Sequence, residues 1–150
     1  MYCVIKTLIG NLKIEEETGF ITGISFTDEA VCSSSSNVLK TAASQLNEYF
    51  SKQRKTFNLP LKFYGTDFQK KVWNALAAIP YGMTESYKEI AISIGNEKAA
   101  RAVGMANSKN PTMIVVPCHR VIGSNGTMTG YAYGINIKEK LLELEGILKR

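Results

Sequence analysis

The sequence predicts an α+β protein with a small antiparallel sheet and a covering helix at the N-terminus, followed by a mainly helical part with a helix-turn-helix. Three observations carry this. Short β-prone runs separated by turn residues fill the first 26 positions, a 3.6-residue apolar spacing follows them, and from Thr66 onward helical patterns dominate.

The first part reads as a meander. Residues 2–9, 12–16 and 20–26 are rich in Ile, Val, Leu, Tyr and Phe, and Gly10-Asn11 and Glu17-Thr18-Gly19 separate them as turns. The polar SSSSN at 33–37 is a loop. After it, VLKTAASQLNEYFSK places Val38, Ala42, Leu46, Tyr49 and Phe50 on one helical face that can cover the sheet. Residues 52–64 mix charge with Pro60 and read as a connection. The expected organisation is an N-terminal α/β domain over 1–55, a linker over 56–64 and a second domain over 65–150.

In the second part, Thr66 or Asp67 caps a helix bearing Phe68, Val72, Trp73, Leu76 and Ala77, and Pro80-Tyr81-Gly82 ends it. Two short helical segments, ESYKEIAISIG and NEKAARAVGMANSKN, join at Gly95-Asn96, the spacing of a helix-turn-helix. The second segment is nearly bare: Ala99, Ala100, Ala102, Gly104 and Ala106 would let it approach a polynucleotide backbone or another helix closely. Arg101 stands alone among them as a long cation. MIVV, residues 113–116, reads as a buried strand leading to Pro117.

Composition narrows the function. The 150 residues are 45% hydrophobic and 21% charged, which suits folded rather than disordered chain. No stretch approaches 18 consecutive apolar residues, and the first ten lack a signal-peptide core, so a soluble, cytoplasmic protein without membrane attachment is expected. Three cysteines without a secretion signal argue against a disulfide framework. The formal charge is +5, with seven basic and six acidic groups in residues 1–64 against eleven and seven in residues 65–150. An anionic partner for the second part follows.

The chemistry concentrates at PCHR. Cys118 stands beside His119, the chain's only histidine. A cysteine nucleophile needs its thiolate, which a histidine can generate while a carboxylate orients the ring. Neighbours on a strand face opposite ways, so the two share a site only if the chain turns after Pro117 or if water links them. A buried structural cysteine followed by a surface histidine is the plainer alternative. One histidine and three scattered cysteines offer no metal-ligand spacing, so no metal is expected.

PCHRVI, preceded by IPYGMTESYKEIA, RAVGMANSKN and NPTMIVV and followed by GYAYG and KEKLLELEG, resembles the O6-alkylguanine-DNA alkyltransferases over roughly residues 65–148. The resemblance implies a ribonuclease H-like N-terminal domain and a monomeric DNA repair protein without cofactor. Its partner would be double-stranded DNA containing O6-alkylguanine. It would flip the base out and take the alkyl group onto Cys118 in one irreversible turnover. By position, His119 would reach Cys118 through water, Glu145 would hold His119, and Asn110 would brace the backbone near the nucleophile. Tyr87 would donate to the flipped base, Arg101 would fill the vacated stack, and Ala99, Ala100, Ala102 and Gly104 would lie along the DNA. The carbonyls of Cys118 and Val121 would read the guanine amino group, the amide of Ala132 would meet its O6, and Tyr131 would line the pocket. The chain departs from the family pattern at Ala132 and Tyr133, where most members carry Ser-Gly, and at Met113, where many carry Pro beside the substrate pocket. Non-enzymatic relatives that only bind alkylated DNA lack the cysteine, a pure transcription regulator would need neither PCHR nor Glu145, and a cysteine hydrolase should turn over on an ester.

Overall fold

The structure is a computed structural model and describes residues 1–126, 128 and 131–147. It divides into two compact units: Met1–Tyr64 with Pro111–Met113, and Gly65–Asn110 with Ile114–Arg150.

In the first unit, β1 (Tyr2–Thr7), β2 (Gly10–Glu17) and β3 (Phe20–Phe26) form an antiparallel sheet in the order β1-β2-β3. The β2–β3 hairpin turns through Thr18 and Gly19, both at positive φ (49° and 86°). That is the twist-matched two-residue turn, which glycine adopts without strain. The first hairpin turns two residues earlier than the sequence suggests: Thr7 pairs with Gly10, so Leu8-Ile9 form the turn and Gly10-Asn11 open β2. Register follows the buried face. Cys3 pairs with Ile14 and Ile14 with Ile24, aligning one apolar row across all three strands.

Helix α1 (Asn37–Phe50) begins at Ser36, whose hydroxyl accepts the Leu39 amide, and it covers the sheet with Leu39, Ala42, Leu46 and Tyr49. Both sheet edges are closed by short bridges: Val4 pairs with Cys32, Ile21 with Leu61, and Ile24 with Thr112. Pairing of the outer strands with chain from elsewhere removes the exposed edges that would otherwise invite aggregation.

In the second unit, α2 (Asp67–Ala77) starts with a capping box in which Thr66 and Gln69 satisfy each other's backbone amides. It buries Val72, Trp73 and Leu76, while Ala77 is exposed. A two-residue strand β4 (Glu85–Ser86) runs into α3 (Tyr87–Ser93), which has a second capping box from Ser86 and Glu89. Gly95, at φ 81°, makes the turn toward α4 (Ala100–Ser108). The helix starts later than the pattern suggests, and Ala99 is its N-cap. Met113, Ile114 and Val116 are buried and Val115 half-buried, but the segment is not a strand. Ile114 adopts φ 75°, an outlier for a β-branched residue, and the chain turns there. Strand β5 (Val121–Ile122) pairs in parallel with β4, and α5 (Ile135–Leu144) closes the described chain.

Candidate active site

Pro117 decides the geometry. Its φ and ψ of −81° and 66° form an inverse γ-turn, closed by the Cys118 amide on the Val116 carbonyl at 2.8 Å. Cys118–Arg120 then make one turn of 3-10 helix, with the Arg120 amide on the Pro117 carbonyl. The chain therefore turns at the cysteine, and Cys118, His119 and Arg120 are all buried within three consecutive residues.

Two asparagines of the preceding segment hold this turn. Asn110 Nδ2 donates to the Val116 carbonyl at 2.7 Å, and Asn107 Nδ2 to the Cys118 carbonyl at 3.4 Å. Burial pushes the Cys118 thiol above its ordinary range, against hydrogen bonds from Asn110 and Tyr131 and the charge of Lys138, which favour the thiolate. The β4–β5 pairing sets Glu85 opposite Val121 and so brings the start of α3, where Tyr87 sits, to the nucleophile turn. Burial also raises Tyr87, as does its proximity to Cys118.

Behind the cysteine lies a cluster of charge. Glu145, at the C-cap of α5, meets His119 Nε2 through Oε2 at 2.6 Å. Arg120 grips the same carboxylate as a fork, Nε to Oε1 at 2.8 Å and Nη2 to Oε2 at 3.1 Å, and gives Nη1 to the Ile79 carbonyl. The Gly82 amide adds a fourth donor to Glu145. Burial lowers the His119 pKa against the raising effect of Glu145. Lys138, fully buried, donates to the Val121 carbonyl, and burial lowers it to about 8.

Of the residues singled out from sequence, Cys118, His119, Glu145, Asn110, Val121 and Tyr131 are buried or half-buried in this unit, with Tyr87 half-buried beside them. The Val121 carbonyl already accepts from Lys138. Ala132 is exposed, and Tyr133 packs edge-on to Tyr131 with ring centroids 5.7 Å apart. Met113 is fully buried in the first unit. On α4, Arg101 is exposed and lines one open concavity with Tyr87, Ala100 and Gly104, whereas Ala102 lines a different hollow with Phe68 and Lys109. Ala106 faces inward, its carbonyl accepting the Trp73 indole N–H at 2.9 Å.

Sequence reasoning gave no role to Asn107, Arg120 or Lys138. A signal for Lys138 existed: Lys138, Leu141, Leu142 and Glu145 recur at helical spacing and share one face. Arg120 carried only its place inside an apolar run.

A helix-turn-helix in the same unit as a buried thiol and a buried His119–Glu145 pair is the arrangement of a DNA-directed protein class with a cysteine at its centre. Residues 67–147 match the 6-O-methylguanine DNA methyltransferase DNA-binding domain, and residues 1–63 match that family's ribonuclease-like domain. The methylated-DNA--protein-cysteine methyltransferase of Methanosarcina acetivorans is 60% identical over 107 residues, 71% of this chain and 69% of the relative. The constitutive enzyme of that name in Bacillus subtilis is 46% identical across 97% of this chain and 95% of its own. Crystal structures of the Mycobacterium tuberculosis O6-methylguanine methyltransferase, and of its OGT in complex with DNA, superpose with TM-scores of 0.87 at 45% identity, covering 96% of this chain and 91% of theirs. The chain belongs to the O6-methylguanine DNA methyltransferase family.

Proposed function

We propose that this protein repairs O6-alkylguanine in double-stranded DNA by moving the alkyl group to Cys118 once and irreversibly. The observation that carries the reading is a buried Cys118 followed directly by a buried His119 whose Nε2 meets Glu145 Oε2 at 2.6 Å, a pairing that suits a proton route from the thiol. His119 donates Nε2–H to Glu145 and accepts the thiol proton at Nδ1 through a water. The thiolate sulfur bonds to the alkyl carbon, the carbon–oxygen bond breaks, and its electron pair goes to guanine O6. Tyr87 stabilises the departing guanine anion by hydrogen bonding. The thioether left behind has no leaving group that water could displace, so turnover ends there.

The base must leave the duplex to reach a buried sulfur, at a cost of a few kcal/mol. Arg101 is suited to fill the space, being exposed on α4 in the same concavity as Tyr87. Small residues at Ala100 and Gly104 keep that surface low enough for DNA to approach. Asn110 and Asn107 fix the turn that aims the sulfur, and Tyr131 and the Ala132 amide border the pocket. DNA is the partner, the protein acts as a monomer in the cytoplasm, and no metal takes part.

Mixing the protein with a duplex containing one O6-methylguanine should add a single methyl to Cys118, read by peptide mass spectrometry. The Cys118→Ser variant should gain none while retaining DNA affinity. Methyl on Cys3 or Cys32, or an unmodified wild type, would sink the assignment. Arg101→Ala should slow repair in duplex far more than reaction with free O6-benzylguanine, and equal losses would remove the base-extrusion role.

A further inference from the structure

Two groups that can be cationic, His119 and Arg120, contact the single buried carboxylate of Glu145, while buried Lys138 turns its ammonium to the Val121 carbonyl. Glu145 has no exposed side-chain surface, nor has His119, and Arg120 has 6%. A guanidinium stays charged in proteins, and its fork against Glu145 Oε1 and Oε2 is the geometry that neutralises a carboxylate best. With His119 neutral the three groups sum to zero. With His119 protonated they sum to +1, an uncompensated charge away from water.

We propose that Arg120 is a positioning residue: by taking up the single negative charge of Glu145, it keeps His119 a neutral imidazole with its proton on Nε2 and a lone pair on Nδ1. Without Arg120, the 2.6 Å contact between His119 and Glu145 would favour the imidazolium, which has no lone pair to accept a proton. His119 Nδ1 has no hydrogen-bond partner among the described residues, as the accepting nitrogen requires.

The other charged and titratable groups near the ring agree in sign. Burial is the largest influence lowering the His119 pKa, the charges of Arg120 and of Lys138 on α5 add to it, and Glu145 is the sole group raising it. Tyr81, which stacks under Arg120 at 5.7 Å, is held protonated by burial and by Glu145, and so adds no negative charge. The buried Cys118 thiol is likewise pushed toward its neutral form. The consequence for rate rests on the alkyl transfer proposed above, but the protonation state of His119 does not.

One histidine in the chain makes the test direct. Imidazole nitrogen NMR of labelled wild type at pH 7 should report a single neutral tautomer protonated at Nε2. Arg120→Met should turn the ring into imidazolium at pH 7, with a midpoint moved from below the ordinary 6.5 to above it. Arg120→Lys keeps the charge and should leave the ring neutral. An imidazolium in wild type or in Arg120→Lys overturns the proposal, and so does a neutral ring in folded Arg120→Met. Should Arg120→Met fail to fold, the wild-type and Arg120→Lys spectra still decide. Methyl transfer at pH 7 should fall by on the order of tenfold or more in Arg120→Met, recover as pH rises through the new midpoint, and be restored by Arg120→Lys. If wild type transfers no methyl at all, the alkyl-transfer reading fails while the nitrogen spectra still judge Arg120.

Discussion

The two units solve burial in opposite ways. In the first, the interior is Leu12, Ile14, Ile21, Ile24, Leu39 and Leu46, with only Gln45 and Thr112 as buried polar side chains among the described residues. Gln45 meets the backbone of Asn58 through both ends of its amide. In the second unit, His119, Arg120, Lys138 and Glu145 are buried together with Asn107 and Asn110. Desolvating such groups is costly unless each finds a partner. Apolar burial makes the first unit fold, whereas the second buries charged groups whose cost is offset only as long as each keeps its partner.

The largest expected effect tests that contrast at its centre. Glu145→Ala strands Arg120 and His119 without their carboxylate and should destabilise the second unit by about 3–5 kcal/mol. Leu46→Ala in the first unit should cost about 2–5 kcal/mol, from lost burial and a cavity. The pair Arg120→Met with Glu145→Leu separates the causes, because it removes both charges at once and should recover most of the loss while leaving the protein inactive. Urea unfolding followed by circular dichroism and by the emission of Trp73, the only tryptophan, measures all three. A cost under about 1 kcal/mol for Glu145→Ala would mean that the charges do not depend on one another.

Lys138 sharpens the comparison through pH. Its folded pKa is about 8 against an ordinary 10.5, so between those values the unfolded chain binds more protons than the folded one. Stability from this group therefore rises with pH across that window and is flat below it. Relative to Lys138→Met, the wild type should gain up to about 3 kcal/mol between pH 8 and 10.5, at roughly 1.4 kcal/mol per unit. Parallel stability curves for the two proteins would show that the ammonium is not desolvated. The first unit has no counterpart among the described residues, since Lys13 and Glu29 pair at its surface.

This division also marks what could be read from the sequence. Apolar alternation and helical spacing located β1–β3 and α1, and a cap expected at Thr66 or Asp67 placed the start of α2, which the structure sets at Thr66, because those signals are local. The turn at Cys118 is not local. Residues 113–116 are apolar enough for a strand, yet Ile114 is forced to positive φ while the Asn107 and Asn110 amides hold the backbone that follows. Glu145 lies 26 positions from His119, a separation that no spacing rule connects, and only the family resemblance named it. Arg120 and Lys138 escaped because a charged side chain in a pattern is read as surface, and here the pattern is broken by design of the site.

The smallest effect concerns the spent protein, and it asks whether the second unit is as tightly packed as the first despite its charges. Cys118 is only 3% exposed and bonded within a turn fixed by Asn110 and Asn107, so a methyl on sulfur has no free space to occupy. Added methylenes in packed interiors cost about 1–3 kcal/mol, and methylated protein should melt lower than fresh protein by that amount. Asn107 lies on α4, as does Ala106, whose carbonyl holds the Trp73 indole. Strain at Cys118 should therefore reach Trp73, changing its emission before unfolding, and should loosen the helix that carries Arg101. DNA affinity would fall with it. Benzyl, being larger than methyl, should do more on each measure. Melting curves and Trp73 emission for unreacted, methylated and benzylated protein, compared at one pH and salt concentration, decide the matter; three coincident sets would mean that the site has room for its product and that packing plays no part in releasing spent protein from DNA.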